Sequence, residues 1–465
     1  LKGYIVLDID TLLKTKKHVH FIGIGGAGMC PLAEILHSKG YYVTGSDNNS
    51  GDTVDRLTGM GIEVSLRQRP ENINGADIIV YTAAILPGNP ELEAARSSGI
   101  PTFERSKLFG AMTKHYANRI CVSGTHGKTT VTAMIAQIMI GAGLSPSAVI
   151  GGKLPLTGTN GIDGKGDAMI CEACEFAGTF LELSPTLALI LNIDRDHIEC
   201  YGSFENLIEA FASFAALAEN KVLYFQPDEY TRQAVRSVPA RKRLSFGFDT
   251  GCGYSAGNIA LERAFASFDL YRRDAKLCRL RLAVPGEHNI QNAVAAAAAS
   301  LESGATADDC VKALEAFKGA ARRFETHGEF GGITVVDDYA HHPRELRVTL
   351  QAAKLMNFRR IWAVFQPFTF SRTYTLMNDF ADVLQMADRC VLTPIMGSRE
   401  INTYGVSSGQ LAEKIPGCVL IDDFDAVAQY ISDNTEAGDL VLTLGCGDIY
   451  KAAKKIACML QAKYA

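Results

Sequence analysis

The stretch Gly124-Thr125-His126-Gly127-Lys128-Thr129-Thr130 has the composition of a phosphate cradle. Glycines let backbone N–H groups converge on one point, and a helix N-terminus behind them favours an anion. Lys128 would bring a point charge to the β- and γ-phosphates of ATP, and Thr129 a hydroxyl to Mg²⁺. Lys128 is expected to act on transferred charge and not on packing. Gly124 precedes Gly127 by three positions, so the loop is shorter than the common G-x-x-x-x-G-K-[ST] spacing. A plain glycine turn is the alternative. The flanks favour the cradle, because Arg119–Ser123 suits a buried strand and Val131–Gly141 suits a helix.

A second loop, Gly23-Ile24-Gly25-Gly26-Ala27-Gly28, follows the strand-like Val19, Phe21 and Ile22. A helix is expected from Met29 to about Lys39, then a strand from Tyr41 that delivers Ser46 and Asp47. An acid roughly 20 residues beyond such glycines sits where a Rossmann fold holds a ribose. Alone, the pattern indicates a dinucleotide or a nucleotide diphosphate, and tight strand–helix packing would need the same glycines. An NAD-dependent dehydrogenase is therefore one reading of this half of the chain.

Polar groups also follow other apolar runs. Ala168–Glu175 reads as a strand ending in Glu172 and Glu175, and Pro185–Asn192 runs into Ile193-Asp194-Arg195-Asp196-His197. Open α/β sheets put their sites at such strand ends, although a lone histidine there is as readily a satisfied structural one. Thr334–Asp338 reads as a strand, followed by the turn Tyr339-Ala340-His341-His342 and Pro343, which is well placed to open a helix.

These residues need a large alternating scaffold. A chain of 465 residues corresponds to roughly three domains. Strands and helices alternate from end to end, so the fold class is α/β. Tyr254–Val284 lacks a helical pattern and suggests an antiparallel patch before the alanine run Ala293–Ala299. A net charge of −5 gives no reason to expect nucleic acid or an anionic membrane. No run approaches the ~20 apolar residues that span a bilayer. Asp8 and Asp10 interrupt the start, so no secretory signal is expected. Twelve cysteines in a chain this long suggest reduced thiols and a cytoplasmic setting. The C-x-x-C pair Cys171 and Cys174 lacks the partners of a zinc site.

In order, GTHGKTT, NIDRDH (Asn192–His197), HNIQN (His288–Asn292), ARRFE (Ala321–Glu325), DDYAHHP (Asp337–Pro343) and LGCGDI (Leu444–Ile449) resemble the Mur ligase family of peptidoglycan precursor synthesis. The resemblance covers nearly the whole chain. It implies a Rossmann-like UDP-sugar domain over 1–111, a central P-loop-type ATPase domain with a mixed sheet over 112–320, and a Rossmann-like closing domain over 321–465. The implied reaction is ATP-dependent amide formation between the lactyl carboxylate of UDP-N-acetylmuramic acid and the amine of L-alanine. Another amino acid or a recycled peptide is the alternative within the family. The NAD-dependent dehydrogenase and a non-catalytic nucleotide-binding regulator are the alternatives outside it. Monomer and dimer are both left open.

The resemblance also implies roles for residues. Gly23, Gly25, Gly26, Gly28, Ser46 and Asp47 would hold the UDP-sugar. Gly124 to Thr130 would hold ATP together with Asn289, Asn292, Arg323 and Asp338. Lys128, His197 and Arg323 would be catalytic. Thr129, His197 and one of Glu172 and Glu175 would hold metal, with Glu172 preferred. Asn289 could instead cap its helix, and Arg322 and Arg323 could be a solvated pair. Tyr339, His341, His342 and Arg372 would line the amino-acid site. The chain departs from the family in two places. Phe368-Thr369 stands where some members carry His-Arg, and Cys171–Phe176 reads CEACEF where others have EADESD.

Overall fold

The computed structural model describes residues 8–465 apart from Arg399 and the side chain of Glu199. The expectation about the first seven residues lies outside that range. Three sheets organise the chain. The first is all parallel, in the order Glu63–Ser65, Tyr42–Ser46, His18–Ile22, Ile78–Tyr81, Thr102–Glu104. Its direction of winding reverses at His18–Ile22, and the first glycine loop leaves the C-terminal end of that strand. Crevices open at such reversals.

The second sheet has ten strands and is mixed. Asn118–Ser123 lies between Leu187–Ile190 and Ala168–Glu172, parallel to both. Lys221–Phe225 and Arg243–Gly247 continue one side in parallel. Ser147–Leu154 and the antiparallel Thr159–Ile162 continue the other. Tyr254–Glu262, Phe265–Arg272 and Ala275–Pro285 complete the order as sequential neighbours. The phosphate-loop motif leaves Asn118–Ser123, again at a reversal. The third sheet runs Glu325–Phe330, Ile333–Asp338, Asp439–Leu444, Arg360–Phe365, Arg389–Leu392, Val419–Leu420. Only its first pair is antiparallel.

Parallel strands covered on both faces must be apolar almost throughout. Ile120, Cys121 and Val122 are fully buried, as are Ala363, Val364 and Phe365. Helix Lys128–Gly141 is apolar along most of its length and buried from Val131 to Ala136. The run Ala293–Ala299 is wholly buried within helix His288–Leu301, where small side chains permit close approach. Cys171 faces Cys121 across the strand pair, 3.5 Å between sulfurs.

Two details differ from the sequence reading. The strand from Ala168 stops at Glu172, so Glu175 lies beyond it in the approach to a 3₁₀ turn. The helix after the phosphate loop starts at Lys128, three residues before Val131. The expected boundary at 111 falls inside helix Arg105–Lys114. By packing, the chain forms two compact units. One runs up to Gly257 and includes 269–279 and 292–314; the other comprises 258–268, 280–291 and 315–465. Among the described residues no helix is long and apolar enough to cross a membrane.

Candidate active site

In the first unit, the phosphate loop is built on glycine geometry. Gly127 has φ +88° and caps helix Lys128–Gly141 without a side-chain bond. A Cβ on it would come within 2.7 Å of Asn292 Oδ1, so glycine is required twice over. Lys128, Thr129 and Thr130 form the first helical turn, which leaves backbone N–H groups for an anion. Asn192 clasps the loop: its Oδ1 accepts from His126 N at 2.8 Å, and its Nδ2 donates to His126 O at 3.0 Å. Asp194 N donates to Thr125 Oγ1 at 2.9 Å. His126 Nε2 lies 3.5 Å from Asp194 Oδ2. The two motifs GTHGKTT and NIDRDH thus form one hydrogen-bonded body.

The two candidate acids do different things. Glu172 shares a cradle with Thr129. The point where a Cβ on Gly151 would sit is 2.6 and 2.8 Å from the Glu172 carboxylate oxygens and 2.8 Å from Thr129 Oγ1. Gly151 N donates to Glu172 Oε1. Glu175 instead pairs with Lys128, whose Nζ lies 3.0 and 2.8 Å from its two oxygens. Burial works against the Lys128 charge, but Glu175 outweighs it and holds the amine above its usual pKa. Lys128 therefore also has a structural partner, contrary to the expectation that it stands apart from packing. His197 sits at φ +55°, its N–H on Asp196 Oδ1 at 2.9 Å and its ring edge-on to Phe176. A β-carbon residue at positive φ stores strain, and such strain gathers at functional positions.

At the other glycine loop, Ser46 O accepts from Gly23 N and Ile24 N at 2.8 and 2.9 Å. Asp47 Oδ2 accepts from Gly25 N at 2.9 Å, and its Oδ1 accepts from Asn49 N at 3.0 Å. Gly26 N turns back to Gly23 O at 3.2 Å. Gly28 lies under a guanidinium: a Cβ there would be 3.3 Å from Arg105 Nε and Nη1.

In the second unit, Asp338 is 7% exposed and accepts from Phe324 N at 2.7 Å and Ala340 N at 2.8 Å. Burial pushes its carboxyl up to about 6, against the pull of Arg323 and of those two N–H groups. The guanidinium of Arg323 lies over the Tyr339 ring, 5.0 Å from its centre. Arg322 is no solvated partner of Arg323. It donates to Asp337 Oδ2 at 2.9 Å and to the carbonyls of Gly445 and Gly447. Both Arg322 and Phe324 have positive φ, so the turn presenting Arg323 is strained on either side.

His341 is edge-on to Tyr339 and 3.2 Å from Glu345 Oε2. Burial lowers its pKa, Glu345 opposes this, and Arg372 adds to the lowering. Arg372 lies in helix Phe370–Thr375, whose Ser371 N is capped by Glu400 at 2.8 Å. Thr369, the residue before that helix, has φ +64°. His342 caps helix Pro343–Lys354 in a capping box with Glu345. Helix His288–Leu301 has begun by Asn289, whose Nδ2 donates to Pro285 O at 2.7 Å, so Asn289 is not its cap.

Sequence reasoning missed two residues. Gly151 is one; a glycine inside a strand pattern signals close approach and was the available clue. Arg105 is the other, and nothing local marks it.

Three family models match in order: "Mur ligase family, catalytic domain" over residues 18–117, "Mur ligase middle domain" over 122–300, and "Mur ligase, glutamate ligase domain" over 322–447. The UDP-N-acetylmuramate–L-alanine ligase of Caldanaerobacter subterraneus subsp. tengcongensis is 39% identical over 97% of this chain and 98% of its own. The enzyme of the same name from Lachnospira eligens is 41% identical over 94% and 97%. The crystal structure of UDP-N-acetylmuramate-alanine ligase from Thermotoga maritima superposes with a TM-score of 0.84 at 28% identity, covering 96% of this chain and 100% of that one. The ordered motifs, the three sheets and these full-length matches together establish that the chain belongs to the Mur ligase family.

Proposed function

We propose that this chain joins L-alanine to the lactyl carboxylate of UDP-N-acetylmuramic acid at the expense of ATP, in peptidoglycan precursor synthesis. The observation that carries the reading is the clasped phosphate loop, with Lys128 and the Thr129–Glu172 cradle at its helix, in a chain whose full-length relatives bear that activity in their names. The dehydrogenase reading leaves that loop without a task.

A carboxylate is a poor electrophile. Transfer of the γ-phosphoryl group gives an acyl phosphate and ADP; the alanine amine then attacks the acyl carbon, and inorganic phosphate leaves with the amide formed. The first step brings a carboxylate to a triphosphate, so cations and fixed N–H donors must hold like charges together. Lys128 and the first-turn N–H groups do this at the β- and γ-phosphates. Asn192 keeps the loop peptide oriented, and Arg323 contributes a second cation. Asn289 and Asn292 serve the adenine, and Asp338 the ribose.

The all-oxygen pair Thr129 and Glu172, converging on the Gly151 cradle, fits a hard divalent ion such as Mg²⁺. Glu175 is committed to Lys128, which supports Glu172 over it. His197 would hold a second ion. When bound, these ions neutralise charge between the two anionic reactants. Gly23, Gly25, Gly26, Gly28, Ser46 and Asp47, with Arg105 added, hold the UDP-sugar. Tyr339 and His341 line the alanine site beside the His342 cap, and Arg372 takes the alanine carboxylate.

The working division is three domains close to 1–111, 112–320 and 321–465, in the cytoplasm where ATP and sugar nucleotides are made. Phosphate release with ATP, Mg²⁺ and UDP-N-acetylmuramic acid, assayed against a panel of amino acids and tripeptides, tests the reading. Release with a tripeptide and not with alanine would assign the chain to peptide recycling instead.

A further inference from the structure

We propose that Glu325, His327 and Asp337 form a binding site for a divalent transition-metal ion of the zinc class, separate from the ions at the phosphate loop. Strands Glu325–Phe330 and Ile333–Asp338 pair antiparallel, with Glu325 directly opposite Asp337. Two carboxylates in that relation repel. The register slips between Thr326 and Gly328, which makes His327 the extra residue of a bulge. A bulge re-aims its side chain. One ligand atom from each of Glu325, His327 and Asp337 lies within 4.8 Å of the others. His327 Nε2 is buried and has no hydrogen-bond partner, a costly state for a polar atom.

The chemistry of the donors selects the ion. Nitrogen and oxygen ligands stand ~2.0–2.2 Å from a tetrahedral zinc ion, hence about 3.3–3.6 Å from one another around it. Ligand atoms within 4.8 Å of one another reach that spacing by side-chain rotations of about an ångström. An imidazole nitrogen favours a borderline ion over Mg²⁺. Asp337 is already oriented by Arg322 Nε at 2.9 Å and Thr443 Oγ1 at 2.6 Å, and Glu325 Oε2 by Arg322 N at 2.8 Å. Such outer hydrogen bonds are what fix a metal ligand's direction. Two carboxylates and one guanidinium leave a net negative charge, which a divalent ion meets. The adjoining residues Arg323 and Asp338 belong to the proposed nucleotide site, so an ion here would stiffen the backbone that presents them.

The test uses the full chain, stripped of metal and titrated with Co²⁺ under excess Mg²⁺, with bound cobalt measured by equilibrium dialysis and its visible spectrum recorded. Glu172→Gln combined with His197→Gln weakens both phosphate-loop ions and isolates the new site. That variant is expected to hold one equivalent of cobalt, and adding His327→Gln is expected to weaken its binding ~10–100-fold or more. Equal cobalt binding with and without His327 overturns the proposal. Cobalt should also raise the Tm of the Glu172→Gln, His197→Gln chain; no rise overturns the proposal even if the variant that also lacks His327 fails to fold. His327→Gln alone is expected to retain phosphate release with alanine.

Discussion

Lys128 Nζ lies 2.8 and 3.0 Å from the two carboxylate oxygens of Glu175, so the cation proposed to meet ATP is already paired inside the protein. Glu175 is 1% exposed. Removing the lysine therefore removes two things, a charge for the phosphates and the partner of a buried carboxylate. Breaking a buried pair costs about 3–5 kcal/mol, whereas removing both charges costs far less. Lys128→Ala is expected to abolish phosphate release and lower Tm. Lys128→Ala combined with Glu175→Gln is expected to regain most of the Tm and none of the turnover. Thermal unfolding and phosphate release on both variants check this. A Tm unchanged by Lys128→Ala would contradict the pairing; turnover near normal would contradict the role at the phosphates.

Gly151 offers a cleaner handle on the metal cradle, because it carries no chemistry of its own. An added methyl would collide with the Glu172 carboxylate and Thr129 Oγ1, all within 2.8 Å of it. Gly151→Ala is expected to raise the Mg²⁺ concentration needed for half-maximal turnover by ~10-fold or more, the size of effect seen when a metal ligand loses the partner that orients it. Excess Mg²⁺ should recover part of the rate. Unaltered Mg²⁺ dependence would remove Thr129 and Glu172 as a joint site.

The Asn192 amide donates to and accepts from the peptide of His126. Asn192→Asp keeps the acceptor and loses the donor, placing a carboxylate oxygen against His126 O. Turnover is expected to fall ~10²-fold, within the range for a misplaced phosphate cradle, with KM for ATP raised. Steady-state kinetics with ATP varied decides it; wild-type values would reduce Asn192 to a packing residue.

Asp338 gives a pH dependence with a definite sign. Burial pushes its carboxyl from 3.8 up to about 6. If its carboxylate accepts from the ribose, KM for ATP rises as the pH falls through 6 and is flat above it. Stability runs the other way. The folded chain binds this proton more tightly than the unfolded one. Its contribution is fully present below the unfolded value and is lost as the pH rises through 6. KM for ATP measured on both sides of pH 6 checks the first statement, and a KM that does not move contradicts it.

The parts of the site that lie in one continuous stretch were legible in the sequence. Gly124–Thr130 needs only a strand before it and a helix after it, and both are written locally. The same holds for Gly23–Gly28 and for the turn before Pro343. What could not be read depends on chain crossings. Glu172 and Glu175 look equivalent by spacing; they part because the strand ends at Glu172 and the chain then turns Glu175 toward Lys128. Arg105 reaches Gly28 from a helix dozens of residues away, and Gly151 meets Thr129 across two strands' worth of sheet. Arg322 and Arg323 are adjacent and similar, and both guanidiniums lie over Tyr339, yet Arg322, at positive φ, is also tied to the Gly445 and Gly447 carbonyls. The sequence reading also omits helices Asp52–Gly59 and Phe424–Asn434, although both are amphipathic and the second carries an Asp423 cap.

Selectivity for the amino acid is the sharpest point of the account. A pocket excludes larger side chains by size but separates one methyl or hydroxyl by only ~1–3 kcal/mol. Serine and glycine are therefore expected to be used at rates reduced ~10–200-fold, and bulky amino acids not at all. Phosphate release, with ATP, Mg²⁺ and UDP-N-acetylmuramic acid present and the amino acid varied, measures this directly. The account predicts release that requires the sugar nucleotide and is fastest with L-alanine. No alanine-dependent release under any combination of these substrates would contradict it.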